Sequence, residues 1–352
     1  MIVQREHFFK VIEELESYPF PISFDSETSG LEFCDTMFSL SVATSNSSYY
    51  FNFNPNKDCF GNLPCDSKIL PEEYKQYIPN IFRNKPYCFA HNAKFDLLQL
   101  RKENIILPQD ARIYDTLILA VLYNNTYQNY SLDYLSKKFL AKEKDDIKSF
   151  MVKNKLFTKT TKKSSKKEEK KYLFDKVPLN IIAEYAEKDA KLTLELGEFL
   201  LSLINERDES SSFPNKVIYV ANSESDLLNV LVDIEYRGIR LDIDHINKSI
   251  EICTKKIEEL DNRFLEISGK KFDNKRDTIV DALTGDGVSL SINEDTGIFK
   301  TNKSNLVKSD SEIASLIVER RCIDTELKYL HSYMDYCIGD VVHPIYNTGK
   351  GS

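Results

Sequence analysis

Over Ile22–Glu27 a strand is expected, whose period of two puts Ile22, Phe24 and Ser26 on one face and Asp25 and Glu27 on the other. The stretches MFSLSVAT (37–44) and SYYFNF (48–53) follow it, with a polar turn at Ser45–Ser47, and predict a meander of further strands. A helix is expected after Pro71, a short buried strand over Tyr87–Ala90 and another helix from about Ala93. DTLILAVLY (115–123) and SLDYLSKKFL (131–140) read as two more helices. From Pro178 the period changes to 3–4: Ile182, Ala186, Asp189, Thr193, Leu196, Leu200 and Leu203 fall on one stripe of a long helix, with proline in the tolerated first turn. The polar break NERDESSSFPN (205–215) ends it and marks the expected domain boundary. Beyond the break the pattern is helical: 223–238 ending at Gly238, a long charged helix near 244–268, and another around 310–338. The fold class is therefore α/β over residues 1–208, followed by a mainly helical region over 216–352.

One segment departs from both periods. TKTTKKSSKKEEKK (158–171) carries seven lysines and no apolar residue, and reads as a solvated, flexible loop; a loop touching phosphates is the less favoured alternative. No fixed-period repeat is present.

At 352 residues the chain is long for one core, and its 41% hydrophobic and 29% charged residues are those of a globular protein. No apolar run approaches a membrane span, and the N-terminus MIVQREHFFKVIEEL lacks the pattern of a signal peptide, so an intracellular location is expected. Seven scattered cysteines without a C-x-x-C pair suggest neither a disulfide framework nor a zinc site. A net charge of −8 argues against a protein that coats polyanions generically, but not against a local basic groove.

Three segments carry candidate chemistry. In PISFDSETSGL the strand period puts Asp25 and Glu27 on one face, where they repel unless a positive group lies between them; alone, such a face could simply meet water. In CFAHNAKFDLLQL, Asn92 suits a helix cap and Asp96 falls in the first turn behind a buried strand, which by itself is satisfied by the helix dipole. In the third segment Asp189 lies on the inward stripe of the long helix, where an unpaired carboxylate is expensive, with Tyr185 one turn before it; a cation satisfies it, and pairing with Lys or Arg or capping a backbone group is the less favoured alternative. Four acids from three segments offer hard oxygen ligands that suit Mg²⁺ or Mn²⁺ rather than zinc. Two such ions can activate a water and stabilise a leaving oxygen in phosphodiester hydrolysis.

FDSETSGL, HNAKFD and YAEKD resemble the three exonuclease motifs of the DEDD superfamily, tyrosine subclass, whose fold is RNase H-like. The resemblance implies a 3′–5′ exonuclease using two ions, with Asp25, Glu27, Asp96 and Asp189 as metal ligands. In it Asp25 bridges both ions, Glu27 and Asp189 hold the nucleophile-side ion and Asp96 supports the other. Glu27 and Tyr185 position the attacking water. Thr28 and Leu31 contact the 3′-terminal nucleotide, and Asn92 and Phe95 line the single-strand groove; Asp115 looks structural.

The second half, from SESDLLNVLVDIEYRGIRLDIDHI through IVERRCIDTELKYLHSYMDY to VVHPIYNTGKGS, resembles the thumb of family A DNA polymerases up to the start of the palm. This resemblance implies a proofreading exonuclease acting on single-stranded DNA 3′ ends, with possible primer-template contact through the thumb-like region, for which Lys256, Arg263, Lys270, Lys271 and Lys275 are candidates. Palm and fingers are not seen in the sequence, so no polymerase activity is expected of this stretch alone; they would lie in the same or a separate chain. The alternatives are an RNase D-like exoribonuclease and an inactive DNA-binding or docking fragment.

Overall fold

The structure is a computed structural model describing residues 1–143, 146–161, 168–211, 216–293 and 296–348. The chain divides into two compact units, Met1–Arg237 with Pro344–Ser352, and Gly238–His343.

The first unit opens with α1 (Phe8–Ser17), whose Phe8, Val11, Ile12 and Leu15 recur at helical spacing and are all buried. Strands β1 (Ile22–Thr28), β2 (Met37–Ala43) and β3 (Ser48–Asn52) form the expected antiparallel meander. The helix expected after Pro71 is instead a 3-10 helix over Glu72–Phe82, with Pro79 inside it. Proline removes a backbone donor and crowds the preceding turn, which suits the tighter, shorter-range hydrogen bonding. β4 (Cys88–Ala90) leads directly into α2 (Ala93–Lys102), and β5 (Ile113–Asp115) into α3 (Thr116–Tyr123). The sheet order is β3-β2-β1-β4-β5, with β1, β4 and β5 parallel. This is a mixed sheet with flanking helices, and β4 and β5 carry helices at their C-terminal ends, where open α/β sheets place their sites.

α4 (Leu132–Leu140) and α5 (Ile147–Lys153) follow. The lysine-rich stretch read as a flexible loop contains two paired strands, β6 (Phe157–Thr161) and β7 (Glu168–Tyr172). Residues 162–167 of that stretch lie outside the described residues. The Phe157 and Tyr172 rings face each other across the hairpin, and the Lys170 ammonium sits 4.5 Å from the Phe157 ring centre. Lys170 lies on an aromatic face and Lys171 pairs with the Asp35 carboxylate, an arrangement invisible to composition.

α6 (Leu179–Glu209) crosses the face of the sheet opposite α1 and reaches over β4 at Gly197, where a Cβ would lie 2.4 Å from the Phe89 ring. Its stripe is buried as expected through Leu200, with Ile204 rather than Leu203 completing it. At its end the buried Asp208 carboxylate accepts the backbone N–H groups of Val217 and Ile218, starting α7 (Lys216–Arg237). α7 packs on α2, α3 and β5, burying Ala221, Leu228 and Val232. The first compact unit thus extends to Arg237, beyond the polar break at 205–215, because this helix covers the sheet edge. Its residues 212–215 lie outside the described residues.

In the second unit β8 (Ile239–Arg240) precedes α8 (Ile243–Ser268), then α9 (Arg276–Gly285), α10 (Lys303–Leu306) and α11 (Glu312–Asp335). α8 and α11 lie antiparallel around Leu260, Phe264, Ile313 and Ile317, tied by the Arg263–Glu312 and Arg320–Asp261 ion pairs. Gly238, with φ +66°, turns the chain where the expected helix stops. Among the described residues no helix is long and apolar enough to cross a membrane.

Candidate active site

The register of the meander decides which side chains meet. Asp25 pairs with Ser41, which pairs with Tyr50; Glu27 pairs with Ser39, which pairs with Asn52. Period two then puts Ser23, Asp25 and Glu27 on the face covered by α6. The Ser23 hydroxyl donates to the Ala190 carbonyl of α6 at 2.5 Å, so the helix carries Asp189 and Tyr185 against this row of the strand. Small serines at 39 and 41 leave room for both carboxylates and for helix backbone.

Tyr185 is where these charges converge. Its hydroxyl is held far from ionising, first by burial, then by the charges of Asp189, Glu27 and Asp25, and by donating a hydrogen bond to Asp189. Three carboxylates from a strand and a helix therefore act on one hydroxyl, which remains a donor at any physiological pH. Asp189 and Glu27 are buried, Asp25 and Tyr185 partly exposed.

Asp96 arrives from α2. Pairing of β1 with β4 ends at Ser23, and beyond it Oδ1 of Asp96 accepts both the Ser26 N–H at 2.9 Å and the Ser26 hydroxyl at 2.6 Å. Burial pushes its carboxyl up to about 7; the Ser26 bonds oppose this and the Asp115 charge adds to it. Asp96 thus braces the strand that carries Asp25 and Glu27. The role of cap expected of Asn92 belongs to Asp115: its carboxylate accepts the N–H groups of Asn92, Ala93 and Leu117, each at 2.9 Å, tying the starts of α2 and α3 together. Asn92 stands at φ +62° and its side chain makes no capping bond; it is exposed. A short side chain tolerates the left-handed region better than most.

Of the other expected substrate contacts, Thr28 is buried and donates to the Gly30 carbonyl at 2.6 Å, Phe95 is half-buried, and Leu31 is 80% exposed. Sequence reasoning missed Tyr50. Burial first, and then the charges of Glu27, Glu187 and Asp25, hold its hydroxyl far above the ordinary tyrosine pKa. Neither it nor the buried Ser39 hydroxyl beside it makes a hydrogen bond of ordinary geometry. The alternation in SYYFNF could have placed Tyr50 inward, but not its register beside Asp25.

The oxygen-only donor set of Asp25, Glu27, Asp96 and Asp189 fits a hard divalent cation by its chemistry. Their spacing is looser: among the described residues no three His, Cys, Asp or Glu side chains are drawn together in ligand geometry. Coulomb repulsion works against closer approach of like charges, and a cation reverses it. Of the lysines and arginines expected to touch a duplex, Lys256, Arg263, Lys270 and Lys275 are engaged in surface ion pairs, with Glu319, Glu312, Asp281 and Asp273 respectively; Lys271 is exposed.

A family model described as 3′–5′ exonuclease matches residues 1–205. DNA polymerase DpoZ of Vibrio phage phiVC8 is 24% identical over 362 residues, covering 94% of this chain and 52% of that protein. The DNA polymerase of Escherichia phage T5 is 24% identical over 65% of this chain and 25% of its own length. Among solved structures, the POL domain of Pol1 from M. smegmatis, in complex with DNA primer-template and dNTP, superposes with a TM-score of 0.67 at 12% identity, covering 96% of this chain and 50% of that one. The chain thus spans about half or less of the length of these relatives, and the structural likeness, at that identity, establishes the shared fold. With its motifs on that fold and more than half its residues matched, the chain belongs to the 3′–5′ exonuclease family of family A DNA polymerases.

Proposed function

We propose that this chain hydrolyses single-stranded DNA from its 3′ end, releasing 5′-mononucleotides, as the proofreading portion of a family A polymerase. The observation that carries this reading is α6, bonded through the Ala190 carbonyl to Ser23, setting Tyr185 and Asp189 against the strand row of Asp25 and Glu27. Two Mg²⁺ or Mn²⁺ ions, when bound, supply the Lewis acidity that activates a water and stabilises the leaving oxygen. Asp25, Glu27 and Asp189 would hold one ion, and Asp25 with Asp96 would support the other. Glu27 accepts from the attacking water while Tyr185, kept protonated, fixes its orientation. Leu31 and Thr28 meet the 3′-terminal nucleotide, and Asn92 and Phe95 border the strand behind it. Exonuclease function falls to the first compact unit, in which α7 covers the sheet edge through Arg237, and thumb-like primer-template contact to the helical region beyond it.

The test is digestion of DNA and RNA strands of matched sequence, with products separated by chromatography. DNA shortened to 5′-mononucleotides, at rates well above RNA, supports the reading. Preference for RNA would replace it with an exoribonuclease, and binding without cleavage would leave a docking fragment.

A further inference from the structure

The loop after β1 is tied to a single side chain. Oδ2 of Asp35 accepts the Glu32 N–H at 2.9 Å, and Oδ1 accepts the Ser29 hydroxyl at 3.3 Å. Ser29 also closes the loop neck, its N–H donating to the Thr36 carbonyl and its hydroxyl accepting from the Thr36 N–H. From outside the loop, Lys171 of β7 places Nζ 2.7 Å from Asp35 Oδ1, and Lys102 of α2 donates to the Asp35 carbonyl. The Asp35 side chain is only 8% exposed, and the partners around it hold its carboxyl below the usual range despite burial. Gly30 is required by space rather than by φ. A Cβ there would lie 2.2 Å from Asp35 Oδ2 and 2.6 Å from Lys171 Cε, so any larger residue would break the closure. Leu31, between Gly30 and Glu32, stands at the crest with 80% of its surface exposed.

We propose that the Asp35–Lys171 ion pair is a latch through which the β6–β7 hairpin sets the position of Leu31 against the 3′-terminal nucleotide. Lys171 is a positioning residue: its charge is consumed by Asp35 and reaches substrate only through the loop. This rests on the proposed contact between Leu31 and the strand end. An apolar side chain fixed at one height gives up little entropy on meeting a base, whereas a loosened loop must be ordered at binding. The hairpin that composition marks as a solvated lysine run thereby tunes affinity for a strand end.

The readouts are steady-state digestion of single-stranded DNA and anisotropy of a fluorescent single strand bound in EDTA. Loss of a charge-assisted hydrogen bond of this kind is expected to raise KM and Kd by about tenfold in K171A. kcat should fall by less than about twofold, since the carboxylates are untouched. K171R should restore most of the loss. D35N separates the latch from direct phosphate binding by Lys171: the latch has D35N weaken binding as K171A does, while direct contact has it tighten binding by freeing the lysine. L31A combined with K171A should be no worse than L31A alone. Tightening in D35N, additive loss in the double variant, or a K171A effect confined to kcat would each overturn the latch. A parent chain that binds strands without cleaving them fails the exonuclease reading while the binding series still judges the latch; one that neither binds nor cleaves overturns both.

Discussion

Asp96 is held at a cost that depends on pH. Its carboxyl titrates at about 7 in the folded chain against 3.8 when exposed, so between those values the folded chain keeps a proton the unfolded chain has lost. This contribution to stability is complete below about pH 4, declines through the interval and is gone above about pH 7. Asp115, raised to about 6 chiefly by burial, acts in the same direction over a narrower range. Asp96→Asn retains an acceptor for Ser26 without the buried charge. In EDTA its melting temperature should match the parent at pH 4 and exceed it at pH 8, while digestion in Mg²⁺ falls by on the order of 10²-fold or more. Asp96→Ala leaves the Ser26 N–H and hydroxyl without their acceptor and should lose about 1–3 kcal/mol instead. Thermal melts of both variants across pH check this; a parent that outlasts Asp96→Asn at pH 8 would show the carboxylate to be stabilising there. The inward position of Asp189 was legible in the sequence, because the helical period put it on the buried stripe. The capping duty of Asp115 at α2 was not, because it joins residues 22 and 23 positions apart through the fold.

At the level of elements, α2 and α7 are joined by a buried charge pair. Lys94 bonds Glu235 and the Tyr346 carbonyl, and the Glu235 carboxylate accepts the Tyr346 N–H at 2.6 Å. The two side chains are 7% and 3% exposed. Removing one partner strands the other charge, so Lys94→Ala should cost about 3–5 kcal/mol in denaturant unfolding, whereas the apolar pair Lys94→Met with Glu235→Leu should recover most of it. Equal losses in the single and double variants would mean that packing, not charge, dominates this contact. Helices with a clear apolar stripe, such as α6 and α8, were legible from periodicity. The β6–β7 hairpin was not, because its strands carry lysines where a half-buried strand should carry apolar residues, and their partners lie elsewhere in the chain. The 3-10 segment over Glu72–Phe82 shares the apolar spacing of an α-helix, and period alone does not separate the two hydrogen-bond patterns; Pro79 inside it lacks a backbone donor.

For the whole chain, the polar break at 205–215 looked like a boundary, yet α7 beyond it belongs to the first compact unit. Polarity marks a turn at the surface and does not say which unit the next helix joins. A fragment ending at Arg237 keeps α7 on the sheet and lacks only residues 344–352 of that unit, so it should be more stable than one cut before α7. One ending at Glu209 uncovers the sites of Leu228 and Val232 and gives up about 1.5–3 kcal/mol for each of those side chains; urea unfolding of the two fragments measures the difference, and equal midpoints would contradict it. The family was legible because three motifs within residues 1–205 carry it, while the Asp35–Lys171 pair emerged only with the hairpin in place.

The central claim is that Asp25, Glu27, Asp96 and Asp189 hold the cations of a DNA exonuclease, and one measurement addresses it most directly. A 5′-labelled single strand is digested by the parent and by Asp25→Ala, each folded, in Mg²⁺, Mn²⁺ and EDTA. Shortening from the 3′ end that requires either cation and disappears in Asp25→Ala is the predicted result. Shortening that persists in EDTA, or that survives in Asp25→Ala, would contradict it.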